Sequence, residues 1–66
     1  MKNLNECKEL YKSTYESYLD ARDEYEKDLE TRRLGECVSI LKFIYGNEFE
    51  KVETSWRMEA IEEMYS

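Results

Sequence analysis

The stretch of sequence that decides the fold is residues 3–34, which read NLNECKELYKSTYESYLDARDEYEKDLETRRL and contain neither Gly nor Pro. Apolar and aromatic residues recur in it every three or four positions, which is the spacing that places side chains on one face of an α-helix. This pattern predicts one continuous helix, a rod of roughly 45 Å at about 1.5 Å per residue. The residues of the predicted face are Leu4, Cys7, Leu10, Tyr11, Tyr15, Tyr18, Ala21, Tyr25 and Leu29.

Local signals mark both ends of this helix. Asn3 followed by Glu6 has the form of a capping box at a helix N-terminus. Arg32 and Arg33 suit the negative end of a helix dipole, and Gly35 follows as a residue that commonly closes helices. We therefore expect the first helix to end just before this glycine.

Two shorter helices are predicted after it. Within residues 36–45 the polar positions recur every three residues, which favours a short buried helix. Several residues of 37–45 individually prefer strands, so a strand is the alternative there. Gly46 repeats the helix-stop signal and Asn47 begins a second capping-box pattern, which predicts a third helix over residues 48–64.

These elements predict a single all-α domain of residues 1–66, arranged as a helical hairpin or as three helices. A chain of this length buries only about 60 % of the surface that it exposes when unfolded, so its core is marginal. The predicted rod is also too long for the other helices to cover. We therefore expect a homodimer, with core or interface residues Leu4, Cys7, Leu29, Cys37, Leu41, Ile44, Phe49, Val52 and Trp56.

The two cysteines are expected to be buried, reduced thiols. A straight first helix would hold Cys7 and Cys37 tens of ångströms apart, whereas a disulfide requires Cα atoms within about 7 Å. Only an antiparallel dimer would bring one of them near the other in a second subunit.

Composition argues against several classes of protein. Because 41 % of the residues are hydrophobic and 14 % aromatic, we expect a folded domain rather than a disordered chain. The longest apolar run, residues 40–45, contains Lys42 and is far shorter than the roughly 20 residues of a membrane span. The N-terminus has no signal-peptide pattern, so we expect a cytoplasmic location, in the host cytoplasm if the chain is viral. With no His and no Cys-x-x-Cys spacing, we expect no metal, no cofactor and no enzymatic activity.

The negative charge is unevenly distributed. The net charge is −6, and residues 16–30 hold seven acidic residues against two basic ones. Like charges four positions apart on a helix cost about 0.2–0.5 kcal/mol per pair, so this clustering points to a use. Direct nucleic-acid binding is disfavoured, because phosphate contacts need clustered Lys and Arg. A protein partner with a basic surface fits better, contacted by Glu16, Asp20, Asp23, Glu24 and Glu30.

The acidic helix face could also imitate the phosphate array of a nucleic acid and compete for a basic binding site. Small acidic helical proteins of viral or phage origin often act by occupying a basic surface of a host protein. The alternative is a solvated face that aids solubility. That alternative is favoured by the modest net charge and by Arg22 and Lys27, which interrupt the acidic run.

Four tyrosines form the second part of the predicted binding surface. Their rings can bury while their hydroxyls reach water or a partner, a combination that is enriched at interfaces. They either pack against the two later helices or form a partner-binding or dimer surface. These tyrosines are Tyr11, Tyr15, Tyr18 and Tyr25.

Three functions follow as hypotheses. The first is a small acidic protein-binding module that inhibits or modulates a cytosolic protein, including one with a basic nucleic-acid-binding site. The second is a small assembly subunit that associates with itself through its aromatic stripe. The third and weakest is a regulator that binds DNA through Lys8, Lys12, Arg32 and Arg33.

Overall fold

The computed structural model describes residues 4–65 and is helical almost throughout. α1 is Leu4–Leu19, α2 is Glu24–Tyr45 and α3 is Phe49–Tyr65, with a 3-10 turn at Gly46–Glu48 between α2 and α3. The described residues contain no strand, so the all-α prediction is confirmed. None of the three helices combines the length and the apolar character needed to cross a bilayer.

The single helix predicted over residues 3–34 is wrong, because the chain turns at residues 20–23. Asp23 has an extended backbone (φ −123°, ψ 173°), and its side chain accepts a 2.8 Å hydrogen bond from the backbone N–H of Glu26. The Glu26 carboxylate accepts a 3.1 Å hydrogen bond from the backbone N–H of Arg22. These bonds cap the N-terminus of α2. They give acceptors to backbone N–H groups that cannot bond to a carbonyl in a preceding helical turn.

The helix-stop signal predicted at Gly35 is also overridden. Gly35 lies inside α2, so the separate helix predicted over residues 36–45 is the second half of α2, and residues 37–45 are helical rather than extended. An interior glycine costs about 0.5–1 kcal/mol relative to alanine. Burial of Cys37 and Leu41 against α1 outweighs that cost.

The second stop signal, at Gly46, is confirmed. Gly46 has a φ of 62°, a conformation that glycine adopts without steric cost, and its N–H bonds to the carbonyl of Lys42. α3 begins at Phe49, one residue after the start of the helix predicted over 48–64. The capping box predicted at Asn3 lies outside the described residues.

The three helices run up, down and up, with α1 in contact with both of the others. The turn at residues 20–23 sends α2 back antiparallel to α1. α3 runs parallel to α1. Two ion pairs show this direction: Lys8 pairs with Glu59 at 2.9 Å, and Lys12, one turn later, pairs with Glu63, also one turn later, at 2.6 Å. α2 and α3 are joined by the 3-10 turn and contact each other less extensively than either contacts α1. Of the two predicted architectures, the three-helix arrangement is therefore the one observed.

The core is built around the ring of Tyr11 on α1. Tyr11 is 1 % exposed, and its ring centroid lies 6.0 Å from that of Phe49 and 5.9 Å from that of Trp56, both on α3. Edge-to-face and tilted contacts of this kind are the favoured geometries for aromatic pairs. The other buried apolar residues of the described chain are Cys7, Cys37, Leu41 and Ala60.

The residues predicted for the core or an interface fall into two groups. Three of them are exposed to solvent: Leu4 is the first residue of α1, and the other two lie on α2 outside the side that α1 covers. Leu4, Leu29 and Ile44 are exposed by 55 %, 37 % and 44 %. The members that lie in the core are Cys7, Cys37, Leu41, Phe49 and Trp56, with Val52 partly buried against them.

The two cysteines lie much closer than a straight rod would allow. The turn at residues 20–23 brings Cys7 and Cys37 into the same hydrophobic cluster, so the predicted separation of tens of ångströms is wrong. Both are buried and neither forms a disulfide, as predicted.

The two phenylalanines provide a matched test of this core. Phe49→Ala removes a ring that is 0 % exposed and should cost about 3–5 kcal/mol, which is close to the whole stability of a domain this small. Phe43→Ala removes a ring that is 93 % exposed and should change the free energy of unfolding by less than about 0.5 kcal/mol. Urea melts followed by circular dichroism at low micromolar concentration measure both values. Equal stability of the two variants would contradict the described core.

A second pair of variants tests the cap on α2. Asp23→Ala removes the acceptor for the Glu26 N–H and should lower the free energy of unfolding by about 1 kcal/mol. Asp23→Asn keeps a side-chain acceptor that caps equally well, so its stability should stay near that of the wild type. Thermal melts of both proteins distinguish the hydrogen bond of the cap from the negative charge of Asp23. A similar loss of stability in both variants would show that the charge, not the hydrogen bond, stabilises the helix.

Candidate protein-binding surfaces

Most of the predicted acidic contact residues gather at one end of the molecule. This end is formed by the turn at residues 20–23, the N-terminus of α2 and the C-terminus of α3. Met64 of α3 lines the same shallow groove as Glu16 and Asp20, so the C-terminus of α3 lies next to the end of α1 and the turn that follows it. We call this end the acidic pole and define it by Glu16, Asp20, Asp23, Glu24 and Glu63.

Glu30 is the predicted acidic residue that the fold does not bring to the acidic pole. Its side chain is only 14 % exposed and pairs with Arg33 at 3.3 Å, one turn later on α2. It lines the groove between α1 and α2, beside Leu10. The Glu30 carboxylate is therefore paired with a cation of its own helix.

Helix dipoles add to the negative charge of the acidic pole. α1 and α3 both direct their C-termini towards it, and neither has a basic residue in its last turn. A carboxylate near a helix C-terminus is unfavourable by about 0.3–1 kcal/mol, whereas one at a helix N-terminus is favourable by a similar amount. Asp23 and Glu24 are stabilised in this way at the start of α2, while Glu16 and Glu63 lie where the dipoles oppose them.

The pKa values of Glu16 and Glu63 shift in opposite directions. Burial, together with the hydrogen bond to Glu63 and its charge, raises the pKa of Glu16 above the ordinary carboxyl value. The Lys12 ammonium donates a hydrogen bond to Glu63 and lowers the pKa of that carboxyl. One lysine thus serves two carboxylates, and the acidic pole keeps an excess of negative charge.

Lys12 is a residue of this site that the sequence analysis did not place there. Its side chain is buried, and the hydrogen bond to Glu63 raises its pKa. The matching spacing of Lys8 and Lys12 on one helix, and of Glu59 and Glu63 on another, is the signal that could have predicted these ion pairs. Both lysines were candidates for DNA phosphate contacts, and both are instead engaged by glutamates of α3.

The predicted tyrosine stripe is divided by the turn between α1 and α2. Tyr11 is buried and its hydroxyl donates to Glu53 at 3.2 Å, while burial raises the pKa of that phenol. Tyr15 stacks on Tyr11 with ring centroids 5.9 Å apart, and Tyr18 lies 5.8 Å further along the stripe. Tyr25, in contrast, is 78 % exposed on α2. The α1 tyrosines therefore form the core and its edge, and only Tyr25 is fully presented to a partner.

A second exposed surface lies on the side of α2 that faces away from α1. At 100° per residue, six positions of this helix fall within an arc of about 80°. Phe43 is 93 % exposed and Ile40 54 % exposed, although the sequence analysis assigned residues 36–45 to a buried helix. The available signal was the series of three- and four-residue steps that leads from Tyr25 and Leu29, through two charged positions, to Ile40 and Phe43. We call this surface the outer face of α2 and define it by Tyr25, Leu29, Arg32, Glu36, Ile40 and Phe43.

The raised pKa of Glu16 predicts a pH-dependent effect of neutralising it. A carboxyl whose folded pKa exceeds its unfolded value of 4.5 favours the folded state when protonated, and this benefit is lost as the pH rises through the folded pKa. Glu16→Gln should therefore raise the melting temperature at pH 7 and change it little at pH 4.

The control for this prediction is Glu48→Gln, which removes an exposed carboxylate that pairs with Lys51 at 3.6 Å. An exposed pair of this kind contributes little, so its melting temperature should stay near the wild-type value at both pH values. A loss of stability in Glu16→Gln at pH 7 would show that the Glu16 carboxylate is not in conflict with its neighbours.

The two surfaces differ in their chemistry. Within residues 4–65 no group of three or more His, Cys, Asp or Glu side chains is placed to hold a metal ion. The acidic pole offers negative charge and the outer face of α2 offers apolar contact area, which are the two components of protein recognition. Comparison with known proteins adds no assignment: no protein-family model, no curated protein and no solved structure matches this chain.

Proposed function

We propose that this chain is a small acidic protein-binding module that inhibits or modulates another protein by occupying its surface. The acidic pole is the proposed contact, and the partner is a protein with a cluster of Lys and Arg. The observation that carries the proposal is the convergence of two helix C-termini, without a basic residue in either last turn, on a group of carboxylates.

The physical basis is repulsion within the free protein that a basic partner would relieve. The exposed carboxylates Asp20, Asp23 and Glu24 lie at the same end of the molecule as the half-buried Glu16, and Lys12 of α1 is paired there with Glu63. Cations of a partner placed at this end would complement both the carboxylates and the dipoles of α1 and α3. A concentrated charge of one sign also accelerates association with a surface of opposite sign.

A basic nucleic-acid-binding surface is the specific target that we favour. Such a surface presents Lys and Arg at the positions of successive phosphates, so a rigid array of carboxylates can compete for it. A viral or phage inhibitor of this kind would act in the cytoplasm of its host. The lysines available for direct DNA contact on α1 are engaged by glutamates, which weighs against the alternative of a DNA-binding regulator.

The second hypothesis, an assembly subunit, needs a surface other than the predicted one. Tyr11 and Tyr15 on α1 pack into and against the core, so they do not offer an aromatic stripe to a second molecule. The outer face of α2 is the surface that favours this function, because its apolar residues have no cover within the described chain.

Neutralisation of the acidic pole tests the first proposal. Asp20→Asn combined with Glu24→Gln removes two exposed charges from the pole and should weaken binding of a fluorescent Lys- and Arg-rich peptide by about three- to tenfold. Glu48→Gln combined with Glu50→Gln makes the same change in net charge at the other end of α2 and should alter the affinity less than about twofold. Raising the salt concentration should weaken wild-type binding, because exposed charges are screened.

A competition experiment tests the nature of the target. A basic partner captured on the immobilised wild-type protein should bind duplex DNA, and an excess of the free wild-type protein should displace that DNA. Equal peptide affinities for the two double variants, or binding that salt leaves unchanged, would remove the acidic pole as the contact. A captured partner that keeps its DNA would contradict the nucleic-acid-mimic form of the proposal.

A further inference from the structure

The outer face of α2 has a pattern that is complementary to itself. Along the helix, its residues run aromatic, aliphatic, basic, acidic, aliphatic and aromatic, in the order Tyr25, Leu29, Arg32, Glu36, Ile40 and Phe43. Reversing the direction of the helix exchanges the two ends and exchanges the two charges. We propose that this face binds a second copy of the chain. The two α2 helices are antiparallel and are related by a two-fold axis that passes between them at the level of residue 34.

The register of this dimer follows from the residue numbers. With the two-fold axis at position 34, the numbers of two residues that lie opposite each other add up to 68. Tyr25 then lies opposite Phe43 of the second copy, and Arg32 lies opposite Glu36 of the second copy. Leu29 lies within one residue of Ile40 of the second copy. An interface of this kind uses the same patch on both subunits, as two-fold symmetry requires.

The charges specify the antiparallel orientation. Neither Arg32 nor Glu36 forms an ion pair with another described residue. In the antiparallel dimer they form two symmetric Arg32–Glu36 pairs near the centre of the contact. A parallel pairing in register would instead place arginine against arginine and glutamate against glutamate, which is repulsive.

Gly35 supplies an independent observation beside the proposed axis. It lies inside α2 with no positive φ, and a Cβ added to it would meet nothing within 4 Å. Its own fold therefore does not require glycine, and alanine would stabilise the helix by about 0.5–1 kcal/mol. Gly35 lines a shallow groove with Arg32, Glu36 and Ile40. Gly35 lies about 60° outside the arc of the outer face, so the absence of a side chain leaves open space at the edge of the surface on which a second helix would pack.

The size of the face sets the expected affinity. Tyr25 and Phe43 are 18 positions apart in α2, which is about 27 Å along the helix. Contact along a single helix face of this length falls at or below the lower end of the roughly 1,200–2,000 Å² that specific interfaces bury. We therefore expect a weak dimer that forms at tens to hundreds of micromolar protein.

Charge reversal with mixing is the decisive experiment. Sedimentation of the wild type at increasing concentration should show a monomer–dimer equilibrium. Arg32→Glu and Glu36→Arg should each weaken the homodimer by about tenfold or more, because each variant places like charges opposite each other at both symmetric positions. An equimolar mixture of the two should dimerise as well as the wild type, since each chain then supplies the charge that the other lacks. The double variant R32E/E36R should also dimerise.

An apolar pair of variants controls for general loss of exposed surface. Phe43→Ser removes a terminal contact of the proposed interface and should abolish measurable dimer. Met58→Ser removes a side chain that is 60 % exposed on α3 and should leave the dimer intact. Circular dichroism confirms that both variants fold, since both residues are outside the core.

Three results would overturn the proposal. The first is a strict monomer at several hundred micromolar, which would leave the outer face of α2 to a different protein. The second is a mixture of Arg32→Glu and Glu36→Arg that fails to recover association. The third is an equal loss of dimer in Phe43→Ser and Met58→Ser. The acidic-pole variant Asp20→Asn with Glu24→Gln should dimerise normally, so failure of the peptide-binding proposal would not affect this outcome.

Discussion

The reversal of the chain at residues 20–23 is the constraint on which the rest of the structure depends, and the hydrogen bond from the Glu26 N–H to the Asp23 carboxylate fixes where α2 begins after it. It starts α2 in a new direction, and only because the chain reverses there can α1 be covered by α2. The reversal brings Cys7 and Cys37 into one cluster and lets Tyr11 contact Phe49 and Trp56. A capping bond contributes about 1 kcal/mol by itself, so it fixes where α2 begins, while burial of the aromatic core stabilises the folded domain.

The same reversal explains what the sequence could and could not predict about the fold. The apolar spacing continues across the turn, because Tyr18, Ala21 and Tyr25 are still three and four positions apart. The apolar spacing reports on each helix separately. Because the turn at residues 20–23 keeps the same spacing, it cannot be detected from the apolar pattern. The capping pattern of Asp23 and Glu26 was visible, but it competed with a long regular stripe.

The two glycines show why identical signals had different outcomes. At Gly46 the chain must take a positive φ to begin the next turn, so the glycine acts as a helix stop. At Gly35 the residues on both sides of the glycine pack on α1, and this tertiary contact holds the helix together through it. Likewise, the sequence identified Asp20, Asp23 and Glu24 as an acidic cluster, but Glu63 and Lys12 join it only through the packing of α3 on α1.

The two proposed surfaces combine into a specific geometry. In the antiparallel dimer Glu24 lies opposite Ile44 of the second copy, so the N-termini of the two α2 helices, and with them the two acidic poles, are separated by about 30 Å along the helix axis. Dimeric DNA-binding proteins place their two recognition elements one helical turn of DNA apart, about 34–36 Å. A dimer whose acidic poles are separated by a comparable distance would engage both basic elements of such a target at once. Because the second contact is then intramolecular, two weak electrostatic contacts would give an affinity well above that of either alone.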